Sequence, residues 1–96
     1  MEPRKLFAAG IILVALTGSA QAECYADYKA KQDDPLRLHY GVMEVLKDDC
    51  SKKAAAKAMA PRLKDAGWTL LNVLSIFGPE GLAERKASAG DFYLRF

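Results

Sequence analysis

The amino terminus of this chain limits how much of it can form a folded domain. It combines a basic start, an apolar run and a small-residue triplet: Arg4, Lys5, Leu6 to Leu16 and Ala20-Gln21-Ala22. These are the three parts of a cleavable secretory signal. The apolar run is shorter than the roughly 18 to 20 residues that a helix needs to cross a bilayer. The sequence therefore predicts a signal peptide at residues 1–22, a single periplasmic or secreted domain at residues 23–96, and no transmembrane segment after cleavage.

The exported part carries both cysteines of the chain, Cys24 and Cys50. In an oxidising compartment, an even number of cysteines in a short exported chain most simply forms one disulfide. Closing a loop of about 27 residues would stabilise the fold by roughly 3 to 4 kcal/mol, through the entropy that the unfolded chain loses. For a domain with so small a core, we expect that contribution to decide whether it stays folded.

The charge balance argues against a nucleic-acid partner. The chain has 14 Lys and Arg residues against 12 Asp and Glu residues, a net charge of +2. Removing the signal leaves 12 basic and 11 acidic residues, because Arg4, Lys5 and Glu2 are lost. Nucleic acids and anionic membrane surfaces favour much larger basic patches than this.

The exported part begins with a predicted helix and a predicted strand. Residues 23–32 lack Gly and Pro, and the predicted helix ends before Pro35. Period-two alternation from Leu36 then predicts a strand with one covered and one wetter face. The covered face would hold Leu36, Leu38, Tyr40 and Val42, and the wetter face would hold Arg37, His39 and Gly41.

The second half predicts the main helix and two more strands. Residues 51–66 are rich in helix formers, with Ser51 suited to the start and Gly67 to the end. A mostly apolar stripe recurs at spacings of three and four: Ala55, Ala58, Met59, Arg62, Leu63 and Ala66. Residues 68–77 predict a well-buried central strand, residues 82–87 a short helix, and residues 92–96 a final strand.

These segments predict an α+β fold. The order is helix, strand, helix, strand, short helix, strand, forming a small three-stranded sheet with helices packed on one face and one disulfide. A helix between two strands favours a parallel pair, so the last strand would lie antiparallel beside or between them.

Two stretches resemble a group of small exported proteins of Gram-negative bacteria: CYADYKAKQDDPLRLHYGV at residues 24–42 and GWTLLNVLSIFGPEGLAERK at residues 67–86. The resemblance implies an exported single domain with its two cysteines at these relative positions. It carries no activity, so no functional residue follows from it.

The sequence predicts no catalytic, cofactor-binding or metal-binding residue. His39 is the only histidine, and no sequence motif around it indicates a nearby nucleophile or an orienting carboxylate. A metal site needs more ligands than one imidazole. The serines lack a G-x-S-x-G context, and no glycine-rich phosphate loop is present. We therefore expect His39 to be an ordinary strand-surface histidine.

The exported part contains eight aromatic residues, more than a three-stranded sheet of this size easily hides. If helices cover only one sheet face, the open face would carry an aromatic and basic interaction surface of Arg37, His39, Trp68, Tyr93 and Arg95. Trp, Tyr and Arg are common anchors of binding interfaces. The alternative is that the aromatic residues fill the core or a homodimer interface.

These observations favour a non-enzymatic binding module whose partner is an envelope protein or glycan, bound through the open sheet face or a strand edge. Two alternatives remain. One is a small hydrolase or metal-assisted enzyme that uses His39. The other is a structural homodimer sealed by residues 92–96.

Overall fold

The computed structural model describes residues 24–96, so the predicted signal peptide at residues 1–22 lies outside the described residues. The elements, in chain order, are β1 (Cys24–Gln32), β2 (Arg37–Val45), α1 (Lys52–Asp65), β3 (Thr69–Phe77) and α2 (Leu82–Ala89). Short 3-10 turns occur at Lys47–Asp49, Pro79–Gly81 and Gly90–Phe92. The predicted α+β class and the three-stranded sheet are confirmed.

The sheet has the order β2-β1-β3, and β1 pairs antiparallel with both neighbours. The two strands that flank α1 in sequence, β2 and β3, therefore run parallel to each other, as a connecting helix favours. The strand between them is β1 and not the last segment of the chain. β3 is an edge strand, so the prediction of a central strand at residues 68–77 was wrong.

The first element is a strand where the sequence predicted a helix. Cys24, Ala26, Tyr28 and Ala30 are all buried, and they alternate along β1 with residues of the opposite face. Ala and Lys favour helices in isolation, but tertiary burial overrides such preferences. The small alanines also leave room for a helix to pack closely on this face.

α1 packs on the face of the sheet that these four residues form. It buries Ala55, Met59 and Leu63, three members of the predicted stripe, against the sheet. The Ser51 hydroxyl accepts a hydrogen bond from the Ala54 amide at 3.2 Å and caps the helix, as predicted. The predicted disulfide is confirmed: Cys24 and Cys50 join the start of β1 to the entry of α1.

The face of β2 that packs toward α1 is not the one predicted, although Val42 on the predicted covered face is buried as expected. His39, Gly41, Met43 and Val45 are the buried residues that face α1, whereas Leu38 is 66% exposed. The cause is the ring of Tyr28, which lies across Gly41 in the paired strand. A Cβ atom at Gly41 would come within 2.5 Å of the Tyr28 hydroxyl oxygen, so glycine makes room for the ring.

The two helices lie on opposite faces of the sheet, whereas the sequence predicted helices on one face. Asp27 and Phe77 belong to the face opposite Ala26 and Tyr28, and both contact Arg85 of α2. α2 covers only the part of this face near Asp27, and Lys29 and Asn72 remain exposed on it. Asp27 provides a carboxylate on this face, and α2 packs there through the ion pair between Asp27 and Arg85.

Residues 92–96 do not form the predicted strand. After the turn at Gly90–Phe92, Tyr93 makes a single parallel bridge with Val42, and the Leu94 amide donates to the Val42 carbonyl at 2.9 Å. Leu94 has a φ of 54°, which interrupts an extended conformation. Neither helix within residues 24–96 has the length and apolar character needed to cross a membrane.

Candidate functional site

The end of α1 determines where Trp68 lies. Gly67 has a φ of 90° and its amide donates to the Lys64 carbonyl, while the Trp68 amide donates to the Leu63 carbonyl, both at 2.9 Å. This is the Schellman arrangement, in which a glycine ends the helix with a left-handed residue. The predicted cap at Gly67 is therefore present, and it places a half-buried Trp68 at the edge of the core.

His39 is buried among aromatic rings, so the prediction of a strand-surface histidine was wrong. It is 8% exposed. Phe92 stacks on its ring with centroids 3.7 Å apart, and Trp68 meets it edge-on at 4.3 Å. Its Nε2 atom shares a hydrogen bond of 2.9 Å with the Tyr28 hydroxyl, and its Nδ1 atom has no hydrogen-bond partner among the described residues.

This environment changes the acid-base properties of both hydrogen-bonded groups. Burial lowers the pKa of His39, because a charged imidazolium would lose its hydration. Burial also raises the pKa of Tyr28 to about 12, and the positive charge of Arg62 opposes that change. Both side chains are therefore neutral near pH 7.

A groove of about 590 Å³ opens beside the buried histidine, where β2, the end of α1 and the carboxyl-terminal segment meet. We call it the aromatic–basic groove. Its lining residues are Arg37, Leu38, Ala66, Trp68, Asp91, Phe92, Arg95 and Phe96. Pockets of this size commonly hold small ligands or short segments of a partner.

The groove brings together three of the five residues predicted as an interaction surface. Arg37, Trp68 and Arg95 line it. His39 lies beneath Phe92 and does not line it, and Tyr93 lies beside Lys86, whose ammonium is 5.5 Å from the ring centroid. These residues meet at the end of the sheet and not across the part of the sheet face that α2 leaves open.

Sequence reasoning missed several groove residues, including Leu38, Asp91, Phe92 and Phe96. Alternation predicts Leu38 on the covered face of β2, but in the structure its side chain is exposed. Alternation predicts Phe92 and Phe96 in a strand. The strand does not form, but the same alternation correctly indicates that the two rings lie near each other. The positions of Asp91 and Phe92 depend on the turn at Gly90–Phe92. The sequence predicts a turn at residues 89–91, but it does not predict that this turn brings Phe92 onto His39.

The two arginines of the groove have no ion-pair partner among residues 24–96. Arg37 donates to the side-chain oxygen of Gln32 at 3.4 Å, and the amide of Gln32 donates to the Gly67 carbonyl at 3.1 Å. The Arg95 guanidinium lies 5.7 Å from the centroid of Phe92. Both guanidinium groups therefore keep donors for an anionic ligand.

The wall formed by the carboxyl-terminal segment is held by Arg62. Its guanidinium donates to the Glu44 carbonyl at 3.4 Å and to the main-chain oxygen of Phe96. Together with the hydrogen bond from Leu94 to Val42, these contacts fix the segment against β2 and α1. The groove is thus built from packed elements and not from a free tail.

A second polar cluster lies under α2, around Asp27. Its carboxylate accepts hydrogen bonds from Ser75 at 2.6 Å, from Tyr40 at 2.8 Å and from the Arg85 Nε atom at 3.1 Å. Burial by itself would raise the pKa of Asp27, but these three donors and the charge of Arg85 hold it below its ordinary value. Burial and the nearby carboxylate raise the pKa of Tyr40 to about 12.

This second cluster is best explained as a structural contact. Asp27 is 7% exposed. Arg85, besides pairing with it, packs over the ring of Phe77 at 4.0 Å and donates to the Gly81 carbonyl at 2.8 Å. The hydrogen bonds of the cluster join β1, β2 and β3 to α2, and its polar groups are committed to one another.

The described residues contain no group of three or more His, Cys, Asp or Glu side chains placed to hold a metal ion. In comparisons with known proteins, no family model, curated protein or solved structure matches the chain.

Proposed function

We propose that this chain is an exported, non-enzymatic binding domain of the bacterial envelope, and that the aromatic–basic groove is its binding site. The partner is another component of the envelope. Support for export comes from the signal-like amino terminus and from the disulfide, which suits an oxidising compartment.

The observation that carries the proposal is the combination of side chains in the groove. Trp68 and Leu38 offer apolar surface there, and Leu38 is a large hydrophobic side chain that is 66% exposed. Arg37 and Arg95 add donors that the described residues leave without a carboxylate. Aromatic, apolar and guanidinium groups together are typical of the anchors of binding interfaces.

The geometry supports binding better than catalysis by His39. A general base must lie within hydrogen-bond reach of the proton that it removes from the substrate or from water. Among residues 24–96, the only hydrogen-bond partner of the His39 ring is the Tyr28 hydroxyl, and Phe92 stacks over the ring. A hydrolase would require Phe92 to move and a second polar group to approach.

The homodimer alternative would use a segment that is already engaged. Residues 92–96 pack on β2 and α1 of their own chain through Leu94 and Phe96. A dimer sealed by this segment would first have to detach it. Sedimentation of the exported domain with and without residues 92–96 tests that alternative directly.

The binding proposal is tested by capture from envelope extract. The exported domain, with its disulfide intact, is immobilised in three forms: the wild type, Leu38→Gln and Leu46→Gln. Leu46 is the matched control, because it is 59% exposed and does not line the groove. Burying a leucine contributes about 1.5 to 3 kcal/mol, so its loss should weaken binding about ten-fold or more.

We expect a component that is recovered by the wild type and Leu46→Gln but strongly reduced with Leu38→Gln. Equal recovery by all three forms, or no recovery by any, would contradict the proposal. Export is tested separately, by the mass of protein isolated from the periplasm, which should correspond to a chain that begins at Glu23.

A further inference from the structure

The lining of the groove consists of apolar, aromatic and charged side chains. Leu38, Ala66, Phe92 and Phe96 are apolar, Trp68 is an aromatic side chain with one N–H donor, and Arg37, Asp91 and Arg95 are charged. None of the lining residues is Ser, Thr, Asn, Gln or Tyr. These are the neutral side chains that can both donate hydrogen bonds to the hydroxyl groups of a ligand and accept hydrogen bonds from them. The lining therefore favours an apolar ligand with a charged group over a glycan rich in hydroxyl groups.

One charged group that suits this lining is a carboxylate. Arginine presents a planar fork of donors that matches a carboxylate with two parallel hydrogen bonds. Arg37 is oriented by Gln32, which is itself bonded to the Gly67 carbonyl at the end of α1. Arg95 lies over the same Phe92 ring that stacks on His39. Two guanidinium groups thus stand beside an aromatic floor.

We propose that the groove holds the carboxylate end of a peptide whose last side chain is apolar, an inference that rests on the binding function proposed above. The carboxylate lies at Arg37 and Arg95, and the apolar side chain packs against Trp68, Phe92 and Leu38. Asp91 accepts a hydrogen bond from a peptide N–H group. The volume of about 590 Å³ suits a segment of two or three residues.

The same chemistry occurs at the carboxyl end of an envelope protein and in a free short peptide. Both offer a terminal carboxylate next to an apolar side chain. A binding assay with a short peptide tests the shared chemistry, and competition by that peptide in the envelope capture tests whether a protein end is the source.

Trp68 provides the signal for the assay, because it is the only tryptophan of the chain and it lines the groove. The wild-type exported domain is titrated with N-acetyl-Leu-Phe, with its carboxyl-terminal amide, and with galacturonate as a carboxylate on a sugar ring. We expect the acid to change the Trp68 fluorescence to saturation. The amide should bind about ten-fold or more weakly, because it loses a charge-assisted pair.

Substitution of the arginines tests the same contact from the protein side. Arg37→Gln and Arg95→Gln should each weaken binding of the acid about ten-fold, and Lys53→Gln, an exposed change on α1, should leave it unaltered. The comparison of acid with amide uses only the wild-type protein, so it stands even if a variant folds poorly.

Equal binding of acid and amide would overturn the inference, and so would tighter binding of galacturonate than of the peptide or no binding of any probe. If the envelope capture nevertheless depends on Leu38, the binding function stands and only the ligand class is wrong. If that dependence also fails, both proposals fall. Elution of the captured component by N-acetyl-Leu-Phe but not by its amide would support a protein carboxyl end as the source.

Discussion

At the scale of single residues, His39 is a buried side chain whose charge can change between pH 5 and 8. Its ring is enclosed by Tyr28, Trp68 and Phe92, and its Nδ1 atom has no partner in the described part of the chain. Protonation would add a charge and a second donor to a site without an acceptor for them.

We therefore predict that the domain loses stability as the pH falls below about 6.5. Burial lowers the native pKa of His39, so the unfolded chain, with an ordinary histidine pKa of about 6.5, takes up the proton first. Stability from this residue is full above that pH and is lost as the pH falls toward the lower native pKa. Urea unfolding midpoints measured from about pH 7.5 to 5.5 test this.

His39→Phe is the control for this experiment. It keeps a flat ring in the aromatic site, and no other histidine exists in the chain. The variant should show a flatter profile than the wild type over the same range. Parallel profiles of the two proteins would contradict the assignment to His39.

At the scale of elements, α2 depends on one buried carboxylate for its docking. Asp27 on the central strand accepts hydrogen bonds from Tyr40 on β2, from Ser75 on β3 and from Arg85 on α2. α2 has few apolar side chains of its own to bury, and Ala89 is its buried residue. The contact between Asp27 and Arg85 therefore gives α2 part of the stabilisation that α1 obtains from apolar packing.

We predict that Asp27→Asn loosens α2 selectively. The substitution keeps the side-chain shape but removes the charge that Arg85 pairs with, and hydrogen bonds to charged groups contribute about 1.5 to 3 kcal/mol. Amide exchange protection across Leu82–Ala89 should fall about ten-fold or more. Asp65→Asn, at the exposed end of α1, is the control. An equal loss of protection in both helices would argue for global destabilisation instead.

Periodicity predicted elements better than it predicted their partners. Residues 51–66 gave the correct helix, because Ser51, Gly67 and a stripe containing Met59 are local signals. The prediction of a helix at residues 23–32 was wrong, because Ala and Lys favour helices locally. The alternating burial along β1 arises from the strands that pair with it on both sides. Local preference carries no information about those neighbours.

For the candidate site, the sequence predicted some of the residues but not their arrangement. Arg37, Trp68 and Arg95 were selected as binding residues, and they do line one groove. Their meeting point depends on which face of β2 is buried, and alternation alone assigns two faces without saying which is which. The deciding feature is the pairing of Gly41 with Tyr28, since a ring can lie across a residue that has no side chain.

At the scale of the whole molecule, one covalent bond joins the sheet to its crossover helix. Cys24 begins the central strand, and Cys50 precedes Ser51, the cap of α1. The disulfide spans a sequence separation of 26 and thus encloses β1, β2 and the turns between them. A single α1 covers the main core, so the domain has little packing to spare.

We predict that replacing both cysteines with serine lowers the free energy of unfolding by about 3 to 4 kcal/mol, because the unfolded chain regains the entropy of an open loop. Small domains have total stabilities of about 5 to 15 kcal/mol, so this loss removes a large share. Denaturant unfolding of Cys24→Ser/Cys50→Ser, compared with wild type with and without a reductant, measures it. Reduced wild type should match the double variant, because both lack the same constraint. Coincident midpoints for the oxidised protein and the double variant would mean that packing between α1 and the sheet suffices to hold the fold.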